Sequence, residues 1–341
     1  MRLLARLSRH PCYRSLFSQN LSETARFVPG HSAVMMCYDF RLTGDMPRLI
    51  EVNTNAGGSL LAYLSHNPTL PIRPESLAPK MKARLLRTFA AEMRQFSAGS
   101  KPRPERIDIV DEEPTQQYLY PEMRAFADLF KEWGIPSEIA APEQLEASEE
   151  GVWLNGQAVD MVYNRHCDFF LESEAMAGLR NAYLAGKVCL TPNPHMYGLL
   201  ADKRRMVLWA DPIKRAPFLE SEQDAGLLDA ILPTSNLLAD LDMQKTWSVR
   251  KQCVFKPVDS FGSRGVLLGG KISRKRFDEM PPATTLVQEL VPPSLTEVPN
   301  FEPMKTDLRL YAYRDQILGV TARLYRGQVT NLRTPGGGFA R

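Results

Sequence analysis

The chain has 341 residues, of which 44 % are hydrophobic and 24 % are charged, a composition typical of a globular protein. This length exceeds that of an average single-core domain, so we expect two or three subdomains. Lysine and arginine (42) barely outnumber aspartate and glutamate (39), which leaves a formal net charge of +3. That balance argues against a general nucleic-acid-binding protein, which would carry a strongly basic face.

The cysteines and the hydrophobic pattern favour a reducing, aqueous compartment. The five cysteines are scattered singly, without a Cys-x-x-Cys pair and without histidines at the spacing of a zinc site. The amino-terminal residues are basic but lack the apolar run of a signal peptide, and no stretch approaches ~18 consecutive apolar residues. We therefore expect free thiols, no membrane partner and a cytoplasmic location.

The first predicted elements are two short strands joined by a turn. Residues 32–41 and 47–53 are rich in strand-forming side chains, and Thr43-Gly44-Asp45 between them is a hairpin signal. A proline-rich stretch then leads into an amphipathic helix over about 78–96, and residues 97–106 have the composition of a linker.

Strands and helices alternate in the middle of the chain, as in a small open α/β layer. The predicted strands are 107–111, 136–140 and 159–164, and the predicted helices are 117–133, 172–185 and 196–209. The last third is rich in strands and includes a long hairpin over 307–327 that turns at Arg314-Asp315.

Three oxygen-bearing side chains on the first hairpin are candidates for a metal site. Asp39 lies on one strand and Glu51-x-Asn53 on the other, and alternation places Glu51 and Asn53 on one face, where Asp39 can join them. Two carboxylates and an amide oxygen suit Mg²⁺, which keeps part of its coordination for water and phosphates. The apolar pair Leu49-Ile50 and the tight turn at 54–58 favour this interpretation over a solvated polar hairpin face.

A second group of residues is suited to bind phosphate. Lys256 ends the predicted strand that begins at Cys253, and a loop that contains Gly262, Ser263 and Gly265 follows it. Such a loop can fold over phosphates and donate backbone N–H groups. Because the lysine precedes the glycines, this is neither a Walker A loop nor a dinucleotide-binding fingerprint, and an ordinary β-turn is the alternative.

Two further segments place polar residues on otherwise apolar strands. The strand 286–290 carries Gln288 and Glu289, and its main chain can offer hydrogen-bonding groups to a flat base; a core strand is the alternative. Arg309 and Arg323 alternate with apolar residues, and such arginines are costly unless they meet an anion. A sheet face with Arg–Asp pairs is the alternative there.

Together these segments resemble the ATP-grasp superfamily. In that family a lysine-bearing strand and a glycine loop close over ATP, a Gln-Glu-aliphatic strand holds the adenine, and a Glu-x-Asn strand preceded by an acid holds Mg²⁺. The matching segments are VFKPVDSFGSRGV, LVQELV and YDFRLTGDMPRLIEVNTNAGG. Most members place Glu-x-Asn last, whereas this chain has it near the start, as do eukaryotic-type glutathione synthetase and glutathionylspermidine synthase. Segments that contain Arg165, Lys203 and Arg333 are also similar to glutathione synthetase.

The resemblance implies a role for each matching residue. The residues implied to hold Mg²⁺ are Asp39, Glu51 and Asn53. Those implied to bind ATP are Lys203, Lys256, Gly262, Ser263, Gly265, Gln288, Glu289 and Leu290, the last three at the adenine. Those implied to contact the acyl-phosphate or a substrate carboxylate are Arg323, Arg165 and Arg333.

Two features depart from the family pattern. Several relatives carry a glutamate four residues after the second lysine, where this chain has Ser260 beside Asp259, so a metal-binding role of the loop stays open. The acid that would bind the ribose is either Glu297 or Glu302.

The expected fold is therefore α/β (α+β): a circularly permuted ATP-grasp fold with a small open α/β domain. The expected divisions are 1–75 (metal-binding part of the C-terminal subdomain), 76–195 (helix and substrate domain), 196–285 (subdomain with the glycine loop) and 286–341 (adenine hinge and remaining strands).

The function implied is that of an ATP-dependent carboxylate–amine ligase, which forms an amide or peptide bond through an acyl-phosphate and releases ADP and phosphate. Its partners would be a small-molecule acid and an amine, such as an amino acid, a peptide or a polyamine. The alternatives are a phosphotransferase on the same fold and a nucleotide-binding protein without catalysis. The oligomeric state stays open, with a homodimer among the options.

Overall fold

Several separate sheets and the helices packed on them make up the protein, as seen in a computed structural model. The structure describes residues 1–17, 21–55, 57–64, 69–260, 262, 264–331 and 334–340. Within these residues the architecture is mixed, with both antiparallel and parallel sheets, in agreement with the α+β class that the sequence predicts.

The strands are short except for one long hairpin in the last third of the chain. They are β1 (Met36–Thr43), β2 (Met46–Asn53), β3 (Ile107–Val110), β4 (Ile139–Ala140), β5 (Glu146–Ser148), β6 (Gly151–Leu154), β7 (Gln157–Ala158), β8 (Met161–Asn164), β9 (Cys189–Thr191), β10 (Ser235–Leu237), β11 (Cys253–Pro257), β12 (Leu267–Leu268), β13 (Thr285–Glu289), β14 (Ser294–Val298), β15 (Phe301–Tyr313), β16 (Gln316–Tyr325) and β17 (Gly338–Ala340).

Most helices are also short. They are α1 (Arg2–Leu7), α2 (Pro11–Phe17), α3 (Glu23–Arg26), α4 (Ser59–Leu64), α5 (Pro79–Phe96), α6 (Tyr120–Glu132), α7 (Ala177–Leu184), α8 (Pro194–Met196), α9 (Arg204–Ala210), α10 (Pro212–Arg215), α11 (Glu222–Ile231), α12 (Met243–Val249) and α13 (Arg274–Asp278).

The largest sheet joins the two ends of the sequence. Its order is β17-β16-β15-β1-β2, all antiparallel, and β14 pairs with β15 beside this path. Strand β1 is central, because β2 pairs on one side of it and β15 on the other. Residues near 40 thus meet residues near 309 through main-chain hydrogen bonds, although the sequence separates them widely.

Two smaller sheets are formed by residues that lie, in the sequence, between the first and the last strands of the large sheet. The parallel sheet β4-β3-β8-β9 is the α/β layer predicted from the alternation of strands and helices. The antiparallel sheet β10-β13-β11-β12 contains both Lys256 and Gln288. Strand β13, which the sequence prediction grouped with the strands after it, pairs here with β10 and β11.

Helix α5 shows how the pattern in the sequence positions the parallel sheet. Pro79 occupies the first turn, where its missing N–H costs nothing, and Leu85, Phe89 and Met93 recur at four-residue spacing and are fully buried. The ring of Phe89 packs edge-on against Tyr163 of β8 at 5.2 Å between centroids. Burial of this apolar stripe fixes the helix against the parallel sheet.

Most predicted elements are confirmed, with boundaries shifted by a few residues, and the turn at Arg314-Asp315 lies where expected. The helix predicted over 196–209 is wrong in its continuity. A π-helical turn over Tyr197–Ala201 and a break at Asp202 separate α8 from α9. The small sheet of β5, β6 and β7 was not predicted, because its strands have only two to four residues each.

None of the helices in the described parts of the chain combines the length and the hydrophobicity that crossing a bilayer requires.

Candidate functional site

A cleft of about 300 Å³ lies where the large sheet meets the sheet that carries Lys256. Its lining comes from segments spread over the whole chain, between residues 39 and 330. The sequence-predicted residues that line it are Asp39, Glu51, Asn53, Lys203, Lys256, Gly262, Gln288, Glu289 and Arg323. Residues from the first hairpin and from the last third of the chain therefore share one cavity.

The hairpin of β1 and β2 holds the acids in register. Asp39 lies directly opposite Glu51, so both carboxylates lie on one face of the hairpin. The register then shifts, so that Phe40 lies opposite Leu49 and Ile50 is the extra residue of a β-bulge. A bulge leaves its extra residue outside the regular pairing, and the carbonyl oxygen of Ile50 accepts a hydrogen bond from Nζ of Lys256 at 3.0 Å.

Asp39 is neutralised by arginines rather than open to a ligand. Its carboxylate is 2 % exposed and accepts hydrogen bonds from Nε and Nη2 of Arg309, both at 2.7 Å. Nη2 of Arg323 lies 3.2 Å away, and the side-chain amide of Asn53 donates at 3.2 Å. Burial alone would raise the pKa of Asp39, but the two guanidinium groups outweigh it and hold the pKa below its ordinary value.

Arg323 is itself shared between two carboxylates. Its Nε donates to Asp307 at 2.5 Å, and Asp307 also accepts a hydrogen bond from the hydroxyl of Thr330 at 2.6 Å. The Arg–Asp pairs that were the alternative interpretation of these strands are thus present, although they are buried rather than on the surface. Each arginine meets an anion, and the anion is supplied by the protein.

Lys256 is buried between the two sheets. Its ammonium group donates to Oε1 of Gln288 at 2.8 Å as well as to Ile50. Burial lowers the pKa of Lys256 to about 8; the charge of Glu51 opposes this effect and that of Lys203 adds to it. A cation that is so poorly compensated would gain from a bound anion.

Lys203 and Glu51 face each other across the cleft. Nζ of Lys203 lies 3.5 Å from Oε1 of Glu51 and also donates a hydrogen bond to the main-chain carbonyl of Ser260 in the glycine loop. The side chain of Glu51 is 31 % exposed, in contrast to Asp39. Gly262 has φ of +60°, a left-handed conformation that lets the loop turn close to the cleft.

The polar side chains of the strand predicted to hold a flat base already form hydrogen bonds within the protein. The amide of Gln288 donates to the hydroxyl of Ser235 at 3.1 Å. Oε2 of Glu289 accepts hydrogen bonds from Arg48 and from the main-chain N–H of Thr234. Leu290 does not line the cleft, and its N–H donates to the carbonyl of Gln252.

Some predicted residues lie away from the cleft or outside the described residues. Arg165 is buried beyond the end of β8, with its guanidinium 5.6 Å from the ring centre of Tyr163. Gly265 is not part of the lining, and Glu297 and Glu302 are exposed elsewhere. Ser263 and Arg333 lie outside the described residues.

The sequence interpretation missed several residues that the fold brings to the site. Arg41 lines the cleft and donates to the carbonyl of Val291 at 2.6 Å. Phe169 and Tyr197 stack at 4.2 Å between ring centres and form an aromatic wall. Asp111, beyond the carboxyl end of β3, is not part of the cleft lining but lies near Arg165, and burial raises its pKa to about 6 despite that arginine. The position of Asp111 after a parallel strand is the one signal that pointed to it.

The described residues of the cleft do not form a complete protein-built metal site. Among the described residues, no three His, Cys, Asp or Glu side chains group as metal ligands do. Of the three predicted ligands, Asp39 is saturated by arginines, whereas Glu51 lies at the open part of the cleft. A hard cation would therefore depend on Glu51, Asn53, water and the phosphates that it accompanies.

No family model and no curated protein matches the chain. Solved structures do resemble it, among them a protein from Methylobacillus flagellatus KT described as "Putative gamma-glutamylcysteine synthetase". The match covers 96 % of this chain and 82 % of the other, with a TM-score of 0.54 and 14 % sequence identity. At that identity the similarity concerns the fold.

Proposed function

We propose that the protein is an ATP- and Mg²⁺-dependent carboxylate–amine ligase with a circularly permuted ATP-grasp organisation. One observation carries the proposal most: Lys256 of one sheet binds the main chain of the acidic hairpin on another, within a cleft lined by Lys203 and Gln288. The Methylobacillus flagellatus protein of similar fold bears the name of a synthetase, which agrees with ligase chemistry.

The charges in the cleft suit a triphosphate. Lys256 and Lys203 are two cations with incomplete compensation, since Glu51 is the acid that faces both. Phosphoryl transfer depends on positioning and on neutralising charge that develops in the transition state, rather than on a covalent nucleophile. The lysines would serve that purpose, and the glycine loop held to Lys203 through Ser260 would cover the phosphates.

Mg²⁺ would supply Lewis-acid neutralisation of the phosphate oxygens, held by Glu51 and Asn53. Asp39 has a different role in this proposal from the one the resemblance implies. Its ion pairs with Arg309 and Arg323 fix both guanidinium groups in the cleft wall. Asp39 is then a positioning residue for the two arginines.

The reaction would run in two steps that balance. An oxygen of the substrate carboxylate attacks the γ-phosphorus of ATP, so an O–P bond forms to give the acyl-phosphate and the bond to ADP breaks. The amine nitrogen then attacks the acyl carbon, the C–N bond forms, inorganic phosphate leaves, and the amine loses a proton. Arg165, two residues before Cys167 of the cleft lining, would bind the substrate carboxylate, and Asp111, whose charge acts on both residues, would hold the amine.

The test is a screen of amino acids, peptides and polyamines for ATP-dependent release of ADP and phosphate. A ligase gives ADP only when acid and amine are both present, together with a product whose mass equals their sum less one water. Phosphorylation without dependence on an amine would assign a phosphotransferase instead. Nucleotide binding without ADP formation, across all combinations, would leave a binding protein and end the ligase proposal.

A further inference from the structure

A second cavity, of about 260 Å³, lies on the other face of strand β1. Side chains alternate along a strand, so Met36 and Tyr38 line this cavity while Asp39 lines the cleft already described. Its volume is far above the ~10–15 Å³ that is enough to hold one water molecule, so the cavity has room for a small polyatomic ligand. The exposed residues Val28 and Gly30 mark the side on which it opens to solvent.

The lining of this cavity carries several positively charged side chains. Arg9, Arg14 and Arg314 all line it, and none of the described residues in its lining is acidic. Arg14 is held in place by a hydrogen bond from its Nε to the carbonyl of Ser8 at 2.8 Å. Three positive charges around one cavity repel each other, so their arrangement is unfavourable until an anion enters.

The buried acid Glu92, which contacts His31 of the lining, already has hydrogen-bond partners of its own. Glu92 lies behind His31, with no exposed side-chain surface. Its carboxylate accepts hydrogen bonds from His31 at 2.8 Å, from the hydroxyl of Tyr313 at 2.8 Å and from that of Thr191 at 3.1 Å. The carboxylate of Glu92 is therefore hydrogen-bonded to these three groups, and it forms no ion pair with the three arginines among the described residues.

Two buried nitrogens of the lining have no hydrogen-bond partner among the described residues. His195 is 6 % exposed, and because its Nδ1 donates to the carbonyl of Ala25 at 2.8 Å, its Nε2 is left unpaired. Nε of Arg314 is likewise buried and unpaired. Unsatisfied buried polar atoms are uncommon in folded proteins, and in a cavity they mark positions where a ligand or a water molecule can form a hydrogen bond.

We propose that this cavity is a second, non-catalytic binding site for a small oxyanion, of the size of phosphate or a dicarboxylate. The oxygen atoms would accept hydrogen bonds from the arginines, which bind carboxylates and phosphates through paired donors. His195 would complete the site, either accepting from a protonated phosphate oxygen or donating once it is protonated itself. The site is independent of the proposed ligase activity, because strand β1 separates the two cavities.

The test measures phosphate binding with the catalytic cleft disabled. Inorganic phosphate and, in a separate arm, malonate are titrated calorimetrically into the full-length Lys256→Met protein at constant ionic strength. The same titrations follow in this background with Arg9→Gln, with Arg9→Gln/Arg314→Asn, and with Arg2→Gln as the matched control from helix α1. Asparagine tolerates the left-handed backbone of position 314, where φ is +55°, and Arg9 and Arg2 are exposed, so folding is preserved.

We expect saturable binding of at least one of the two anions to Lys256→Met. The double variant at Arg9 and Arg314 should weaken that binding about tenfold or more, the Arg9 variant less, and the Arg2 variant not at all. The arm with the tighter binding identifies the anion class. Equal weakening by Arg2→Gln, or no saturable binding of either anion, would overturn the proposal, whatever the result of the turnover screen.

Discussion

The two cavities on either side of strand β1 differ in how their cations are compensated. In the candidate site, which is the cleft that contains Lys256, the residues Arg309 and Arg323 are paired with Asp39 and Asp307, and Lys203 faces Glu51. In the second cavity, Arg9, Arg14 and Arg314 share no acid of the described lining. The first arrangement suits a ligand that brings both phosphates and a cation, whereas the second suits an anion alone.

The comparison also separates two uses of a buried charge. Asp39 stabilises the fold around the cleft because it is enclosed by guanidinium groups, while Lys256 weakens the fold because burial disfavours its charge. A residue that costs stability in the absence of a ligand is one that a ligand can relieve. The following predictions test this distinction, from the largest expected effect to the smallest.

Removing the charge of Asp39 should have the largest effect on stability. Asp39→Asn removes the carboxylate that pairs with buried Arg309 and one of the two that pair with Arg323, so we expect the free energy of unfolding to fall by about 3–5 kcal/mol in urea denaturation at pH 7. Because its folded pKa is lowered, the contribution of Asp39 is present above the unfolded pKa and is lost as the pH falls through the folded value.

The matched control for Asp39 is Asp278→Asn. Asp278 also accepts two hydrogen bonds from an arginine, Arg274, but on the surface, where we expect a loss below about 1 kcal/mol. Equal losses for the two variants would show that the buried ion pairs do not hold the cleft together.

The pH dependence of stability should reveal the buried charge of Lys256. Its pKa is about 8 in the folded protein against 10.5 as the ordinary value, so the unfolded chain binds more protons between these values and stability rises with pH. At about 1.4 kcal/mol per pKa unit, wild type should gain about 3 kcal/mol relative to Lys256→Met between pH 8 and 10.5. Lys275→Met, at a surface site, should show no such trend.

Glu51→Gln should separate activity from stability in the cleft. Glu51 is partly exposed and its ion pair with Lys203 spans 3.5 Å, so we expect a change in unfolding free energy within about 1 kcal/mol. We expect ADP formation to fall about 10²-fold or more, because Glu51 would hold the cation at the phosphates. Glu220→Gln is the surface control, and undiminished turnover of Glu51→Gln would refute the metal assignment.

The smallest expected effect lies in the second cavity. Arg314→Asn removes one of three like charges and relieves a left-handed arginine, so we expect it to raise the unfolding free energy by about 0.5–1 kcal/mol without added anion. Added phosphate should reduce this difference in unfolding free energy between the variant and wild type, because it stabilises wild type more. An equal gain from Arg2→Gln would attribute the effect to net charge rather than to the cavity.

Local signals in the sequence account for much of the fold. Helix α5 follows from its apolar spacing, the hairpin of β1 and β2 from its turn, and the turn of β15 and β16 from Arg314-Asp315. These features depend on residues close together in the chain, where spacing alone carries the information.

Other features of the site depend on contacts that spacing cannot show. Asp39 finds Arg309 at a separation of 270 residues, and Lys256 reaches the bulge at Ile50 across two sheets. A metal role for Asp39 was the natural interpretation of an acid before Glu-x-Asn, because nothing local reveals that two arginines surround it. No pattern in the sequence indicates the second cavity, because Arg9, Arg14 and Arg314 lie in segments far apart in the chain.

The amino-acid sequence by itself determined which side chains are available and the local elements that carry them: an acid and Glu-x-Asn on a hairpin, lysines near a glycine loop, and arginines on a long hairpin. Tertiary structure decided which of these charges neutralise each other and which are left for a ligand. The physical reason is that the free energy of a charge depends on its burial and on partners within a few ångströms, and both are set by packing between distant segments.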